Sequence, residues 1–225
     1  DGMEISIDSV RVNKLEFNGY PYSNIFALGK YNNKIFDGKI ICHDPNLDFI
    51  FQGLFSFDPK ATSKYNYYAD IPYANLSALN IDKRDSISIL RSRMIADFTS
   101  YAGKNIVGNV NILNTSYANS KGDFNIGTIK LSSKEADSSY NAILDAPFMH
   151  AEYNATAPIS SFLKKLASLT LSEHAGAYFA ERKEGFFAPE KMQSLLSRHD
   201  EYDFSLETSN TRSICELLMP GLYIQ

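Results

Sequence analysis

The sequence predicts a mainly β chain, a meander of antiparallel strands whose last third carries a few short helices. Three observations predict it. Among 225 residues there are 15 Phe and 14 Tyr and no Trp, set among many Asn and Ser, a composition that suits pleated strands joined by polar turns. From Ile5 to about Ala155 the apolar residues follow a period of two and show no helical periodicity. Clusters of Asn, Gly, Asp, Pro or Ser interrupt that pattern at intervals of about 8 to 12 residues.

The clearest strand is the run 47–57, in which Leu47, Phe49, Phe51, Phe55 and Phe57 share one phase with Gly53 between them. A period of two puts all five on one face. Further strands follow at 65–73, 86–98, 106–113, 124–131, 140–146 and 148–155. The expected turns are Asn32-Asn33, Asp58-Pro59, Ala102-Gly103-Lys104-Asn105, Ser120-Lys121-Gly122-Asp123 and Lys134-Glu135-Ala136-Asp137, all built from residues that tolerate turn dihedrals. Ile87, Ile89 and Leu90, with Met94 and Ile95, and Ile106, Val107, Val110, Ile112 and Leu113 put apolar groups in both phases, which suggests partial cover on both faces.

The pattern changes after Ala155. Pro158 stands where a first helical residue is favoured, and Ile159, Phe162, Leu163, Leu166 and Leu169 follow at helical spacing, predicting an amphipathic helix over 158–171. Pro189 opens a second candidate with Met192, Leu195 and Leu196; Asn210 or Thr211 caps a third with Ile214, Leu217 and Leu218, stopped by Pro220-Gly221. One strand, 202–208, lies between them. Residues 1–156 thus read as a β segment and 157–225 as a mixed module that joins it to the next one.

Composition excludes several function classes. Lys plus Arg total 22 against 26 Asp plus Glu, a net charge of -4, so no broad basic footprint for nucleic acid exists. Hydrophobic residues at 44% and charged residues at 21% are those of a folding chain. Two cysteines, Cys42 and Cys215, rule out a disulfide-dense scaffold and a Cys-based zinc site. No run of about 18 apolar residues occurs, and Asp1-Gly2-Met3-Glu4 has no basic and apolar signal regions. The sequence is expected to be an internal length of a longer protein.

Catalytic and metal patterns are missing. His43, His150, His174 and His199 stand singly, without ligand spacing. Ser172, Glu173 and His174 lack a nucleophile elbow or oxyanion loop, and Asp44-Pro45-Asn46 reads as a turn. Arg91 and Arg93 share the phase of Ile87, Ile89 and Ile95, either as a phosphate-contacting stripe or as a solvated outer face. The sequons at Asn75, Asn114 and Asn154 are of the kind that arises by chance in Asn-rich chains. The expectation is a non-enzymatic protein without cofactor or metal. The Phe stripe admits two readings, the packed interior of a sandwich or barrel and a concave apolar face open to a ligand.

The runs Leu15-Glu16-Phe17-Asn18-Gly19-Tyr20-Pro21-Tyr22-Ser23-Asn24-Ile25 and 38–53, the stretch Ala74-Asn75-Leu76-Ser77-Ala78-Leu79-Asn80-Ile81, and the tail in which strand 204–208 runs into Ile214 to Leu218 and Pro220 resemble the AsmA-like, TamB-type translocation and assembly module family of diderm bacterial envelopes. That resemblance implies an elongated curved antiparallel sheet, a half-open barrel or taco with an apolar interior. It implies phospholipid transfer or outer-membrane biogenesis in the periplasm, as part of an inner-membrane-anchored protein. The implied partners are phospholipid acyl chains and an outer-membrane barrel assembly protein, not nucleic acid. The family's membrane anchor and C-terminal domain have no counterpart here. Alternation marks Phe49, Phe51, Phe55, Phe57, Leu90, Met94, Phe98, Ile106, Val110 and Ile112 as candidate wall residues. The alternatives are a closed protein-interaction scaffold for outer-membrane protein assembly and a carbohydrate-binding module with Tyr65, Tyr67 and Tyr68 as its platform.

Overall fold

The computed structural model describes residues 4–58, 60–101, 105–137, 139–159, 161 and 201–211. They form one open sheet of 11 strands, each hydrogen-bonded to its neighbour in sequence. In chain order these are β1 (Glu4–Phe17), β2 (Tyr20–Asn32), β3 (Ile35–Asp44), β4 (Leu47–Ser56), β5 (Ser63–Asn75), β6 (Ser88–Tyr101), β7 (Asn105–Asn119), β8 (Gly122–Ala136), β9 (Ser139–Ala146), β10 (Met149–Ala155) and β11 (Tyr202–Thr208). Every pairing is antiparallel. The outer strands β1 and β11 do not pair with each other, so the sheet is not a barrel. Strand 202–208 falls as read from the sequence, and it completes the same sheet by pairing with β10.

Turn chemistry sets the hairpins. Asn18-Gly19 and Asn33-Lys34 hold positive φ at both central positions, the mirror-image turn whose twist matches the flanking strands. The second turn lies one residue later than the expected Asn32-Asn33, because Asn32 still pairs with Ile35. Likewise β8 runs to Ala136, so the expected turn 134–137 shrinks towards Asp137 at φ 47. Of the expected helix 158–171 only its first residues are described, where the Ser161 amide donates to the Pro158 carbonyl at 2.8 Å. Its remainder, the helices at 189 and 211, Ser172, Glu173, His174, His199 and Cys215 lie outside the described residues.

The two faces of the sheet differ sharply. Register places Phe36, Ile40 and Cys42 opposite Phe55, Phe51 and Phe49, and Tyr65, Tyr67 and Ala69 opposite Phe98, Ala96 and Met94. Phe36, Cys42, Phe51, Tyr65, Ala74, Ala96, Tyr117, Phe124 and Tyr153 all lie on this side and are buried. The described residues contain no second layer to cover it. A single layer that buries one face and not the other is bent towards the buried one. The expected cover on both faces is therefore not found among these residues: on the outer side Ile95 is 45% exposed.

Glycine supplies part of the bend. Gly29 faces Gly38, and Gly38 faces Gly53, across β2, β3 and β4. Gly53 holds φ +135, and a Cβ built there would lie 2.2 Å from the Asn66 carbonyl oxygen. No other residue fits such a kink. Tyr67 and Phe98 stand directly opposite Gly53 and Gly108 on the neighbouring strands, a pairing of aromatic residues with sheet glycines that helps pin the register.

Candidate functional site

Alternate residues of each strand build the inner face. From β3 to β9 it carries, among others, Phe36, Ile40, Phe49, Phe51, Phe55, Ala69, Ile71, Met94, Phe98, Val110, Ile112, Ile129, Leu131 and Leu144. Met149, Ala151 and Tyr153 continue it opposite Thr208, Leu206 and Phe204. Lys30, Lys39, Lys64, Arg91, Arg93, Lys130, Lys134, Asp37, Asp48, Asp70, Asp97, Asp145, Glu152, Asp203 and Glu207 all fall in the other phase, on the outer side. Between its rims the inner face is an uncharged strip that crosses the sheet from β2 to β11.

All ten wall candidates lie on this strip. Phe49, Phe51, Phe55, Leu90, Met94, Phe98, Ile106, Val110 and Ile112 belong to its register, and Phe57, just beyond β4, meets Phe55 edge-on at 5.1 Å. Phe51 lies 6.1 Å from Phe36, 6.4 Å from Phe55 and 5.4 Å from Tyr67 between ring centroids. Tyr65 stacks on Phe98 at 4.6 Å. These rings pack laterally along one surface, in the edge-to-face and offset geometries aromatic pairs favour. Sequence reasoning missed Tyr117, Thr115 and Phe124 because bulges shift the phase of β7 and β8 near Asn114, which sits at φ 51. Asn in a strand flanked by apolar residues was the available signal.

The inner face has two unlike rims, since antiparallel order puts alternate connections at opposite ends of the strands. At the first rim the segment 76–87 folds over the face. Leu79 is 0% exposed and packs in a cluster with Tyr22, Cys42 and Ala74, flanked by Leu76 and Leu90. Asn18 and Asn80 bind each other reciprocally, each side-chain amide donating to the other's carbonyl at 2.9 and 3.2 Å. Asp82 accepts from the Tyr117 hydroxyl at 3.2 Å and from Arg84, and Arg84 holds its carboxyl well below the usual carboxylate range. Asp85 accepts from Ser120. The segment is thus tied to the β1–β2 turn at one end and the β7–β8 turn at the other. At the second rim no such roof lies among the described residues, and Phe57 and Ile106 are 59% and 51% exposed.

Beneath the roof sits a satisfied polar knot. Asp44, in the expected turn, accepts from the Tyr20 hydroxyl, from the Ser23 amide and hydroxyl at 2.8 and 2.7 Å, and from the Asn46 amide at 2.9 Å. Burial pushes its carboxyl up, but hydrogen bonds from Tyr20, Asn46 and Ser23 outweigh this and leave it below its ordinary value. Among the described residues no buried side-chain polar atom lacks a partner.

The outer face separates the remaining candidates. Tyr68 points away from Tyr65 and Tyr67 and lies under Arg93 at 5.9 Å, so the three tyrosines form no common carbohydrate platform. Arg91 covers Tyr73 at 5.9 Å, and Arg93 pairs with Asp70 at 3.3 Å, the arrangement of a solvated outer face. His43 pairs with Asp48, and His150 with Asp145 and Glu152; Asp145 first and Glu152 second raise the His150 pKa. Among the described residues no group of three or more His, Cys, Asp or Glu is placed to hold a metal ion, and no helix is long and apolar enough to cross a membrane. Comparison with family models, curated proteins and solved structures gives no match.

Proposed function

We propose that this chain is a non-enzymatic segment of an envelope-spanning lipid-transfer protein, and that its inner face shelters phospholipid acyl chains. One observation carries the reading: an apolar strip without an ionisable Lys, Arg, Asp or Glu between its rims, on an open sheet that no second layer among the described residues seals. Nine strand intervals of about 4.8 Å from β2 to β11 make that strip about 43 Å long, greater than the ~30 Å hydrocarbon core of a bilayer.

The energetics suit transfer. At about 0.8 kcal/mol per methylene, exposing a 16-carbon chain to water costs roughly 13 kcal/mol. A wall of Phe, Ile, Val and Met side chains removes most of that cost without a deep minimum anywhere, since passage from one apolar surface to another is nearly neutral. The lipid then slides along the strip, and no covalent chemistry or nucleotide is needed. The scaffold alternative drew on a closed interior and the carbohydrate alternative on a tyrosine platform; the open sheet and the divided tyrosines favour neither.

Photocrosslinking amino acids at positions 51 and 55 test the reading in cells. Phospholipid adducts at both positions are expected. Adducts only with neighbouring proteins would overturn it.

A further inference from the structure

Strands β9, β10 and β11 carry Asp145, Glu152, Asp203 and Glu207 and neither Lys nor Arg; His150 is their one basic side chain. It stands on the outer face in the middle strand of the three. Its Nδ1 lies 2.5 Å from Asp145 on β9 and its Nε2 3.2 Å from Glu152 on its own strand. The register sets it directly opposite Glu207 on β11, and directly opposite side chains of an antiparallel pair share a face with about 5 Å between their Cβ atoms. Lys130 of β8 extends the same row behind Asp145. Three carboxylates, one from each of β9, β10 and β11, thus converge on a single imidazole.

We infer that His150 is a pH-operated staple that holds β11 to β10. Protonated, the imidazolium donates from both ring nitrogens, to Asp145 and to Glu152, and sets a positive charge across from Glu207. Neutral, it donates from one nitrogen only, so one of its two carboxylates loses its hydrogen bond and Glu207 faces Asp145 and Glu152 with no cation between them. The seam responds because little else holds it. β11 pairs over seven residues, six of them exposed, and on the inner side Phe204 and Leu206 remain 43% and 50% exposed. A strand with so little burial opens locally well below the cost of global unfolding. The sign follows from the neighbours: Asp145 first and Glu152 second raise the His150 pKa, so the staple is fully present below the ordinary value of about 6.5 and is lost as pH rises through the folded one. The staple lies on the outer face and works the same whether or not the inner face holds lipid.

Amide hydrogen exchange on the whole chain, corrected for the intrinsic rate at each pH, reads the seam directly. Between pH 5.5 and pH 8 the opening of residues 202–208 should increase several-fold, while residues 63–75 and 88–101 change little. In the His150→Gln variant, which keeps a side-chain donor but cannot take up the charge, residues 202–208 should open at the high-pH level at both pH values. The same pH dependence in that variant, or an equal change in residues 63–75 and 88–101, would overturn the staple. Imidazole titration by NMR supplies a second reading that does not depend on opening. Glu207→Gln should lower the His150 pKa, and an unchanged value would show that the imidazole does not act across the β10–β11 seam.

Discussion

At the scale of single residues, Gly53 and Asp44 mark what the bent sheet demands. Gly53 holds φ +135 with the Asn66 carbonyl 2.2 Å from where a Cβ would stand, so Gly53→Ala combines backbone strain with a clash against a neighbouring strand. A loss of about 3 kcal/mol in urea unfolding is expected, and a loss under about 0.5 kcal/mol would show that the crease yields easily. Asp44 has a folded-state pKa below its unfolded value. Its contribution is therefore fully present above about pH 4 and is lost as pH falls through the folded value. Unfolding at pH 7 and pH 3 should show a gap that Asp44→Asn narrows, with a cost to the variant of about 2 kcal/mol at pH 7. The strand phase of Phe49, Phe51 and Phe55 was legible because large rings recur at every second position on either side of Gly53. The Asp44 knot was not, since Tyr20 and Ser23 lie more than 20 positions away in sequence, and a turn motif does not announce which strand will donate to it.

Among the elements, the 76–87 segment departs most from expectation. Read as the approach to a strand from Ser86, it instead roofs one rim, and β6 begins at Ser88, whose hydroxyl bonds Tyr117 at 2.8 Å. Its anchor is Leu79, the one large apolar side chain among the described residues with no exposure outside a strand. Leu79→Ala should cost about 3 kcal/mol, whereas Ile81→Ala, at a 60% exposed position in the same segment, should cost under about 0.5 kcal/mol. Equal effects in a thermal melt would contradict the roof as drawn. The segment carries no regular period, so nothing local reveals that it folds back over the sheet. Strands were legible where alternation persists, but bulges at Ile71/Ala74, Arg91/Arg93 and Ile112/Thr115 shift the phase without a composition change, which is why β7 was expected to end at 113 and runs to Asn119.

For the whole molecule, the decisive property is that two faces of one sheet have opposite character, and paired substitutions can read them separately. Val110 lies on the inner strip opposite Ala96, and Ile95 lies on the outer side next to it in β6. Both are β-branched, both sit in the middle of the sheet, and they differ mainly in which side they face. Ile95→Lys adds one more cation to a face that already bears Arg91 and Arg93, so stability and lipid binding should stay near the parent values. Val110→Lys places an ammonium on the apolar strip, where a passing acyl chain must either desolvate the charge or detour around it. The long stem lets that ammonium reach water, so the sheet itself should survive, as circular dichroism would report. Binding of a fluorescent fatty acid should then fall sharply for Val110→Lys alone. Equal loss in both variants would mean that total charge governs binding, and equal retention that the strip is not where the chains lie.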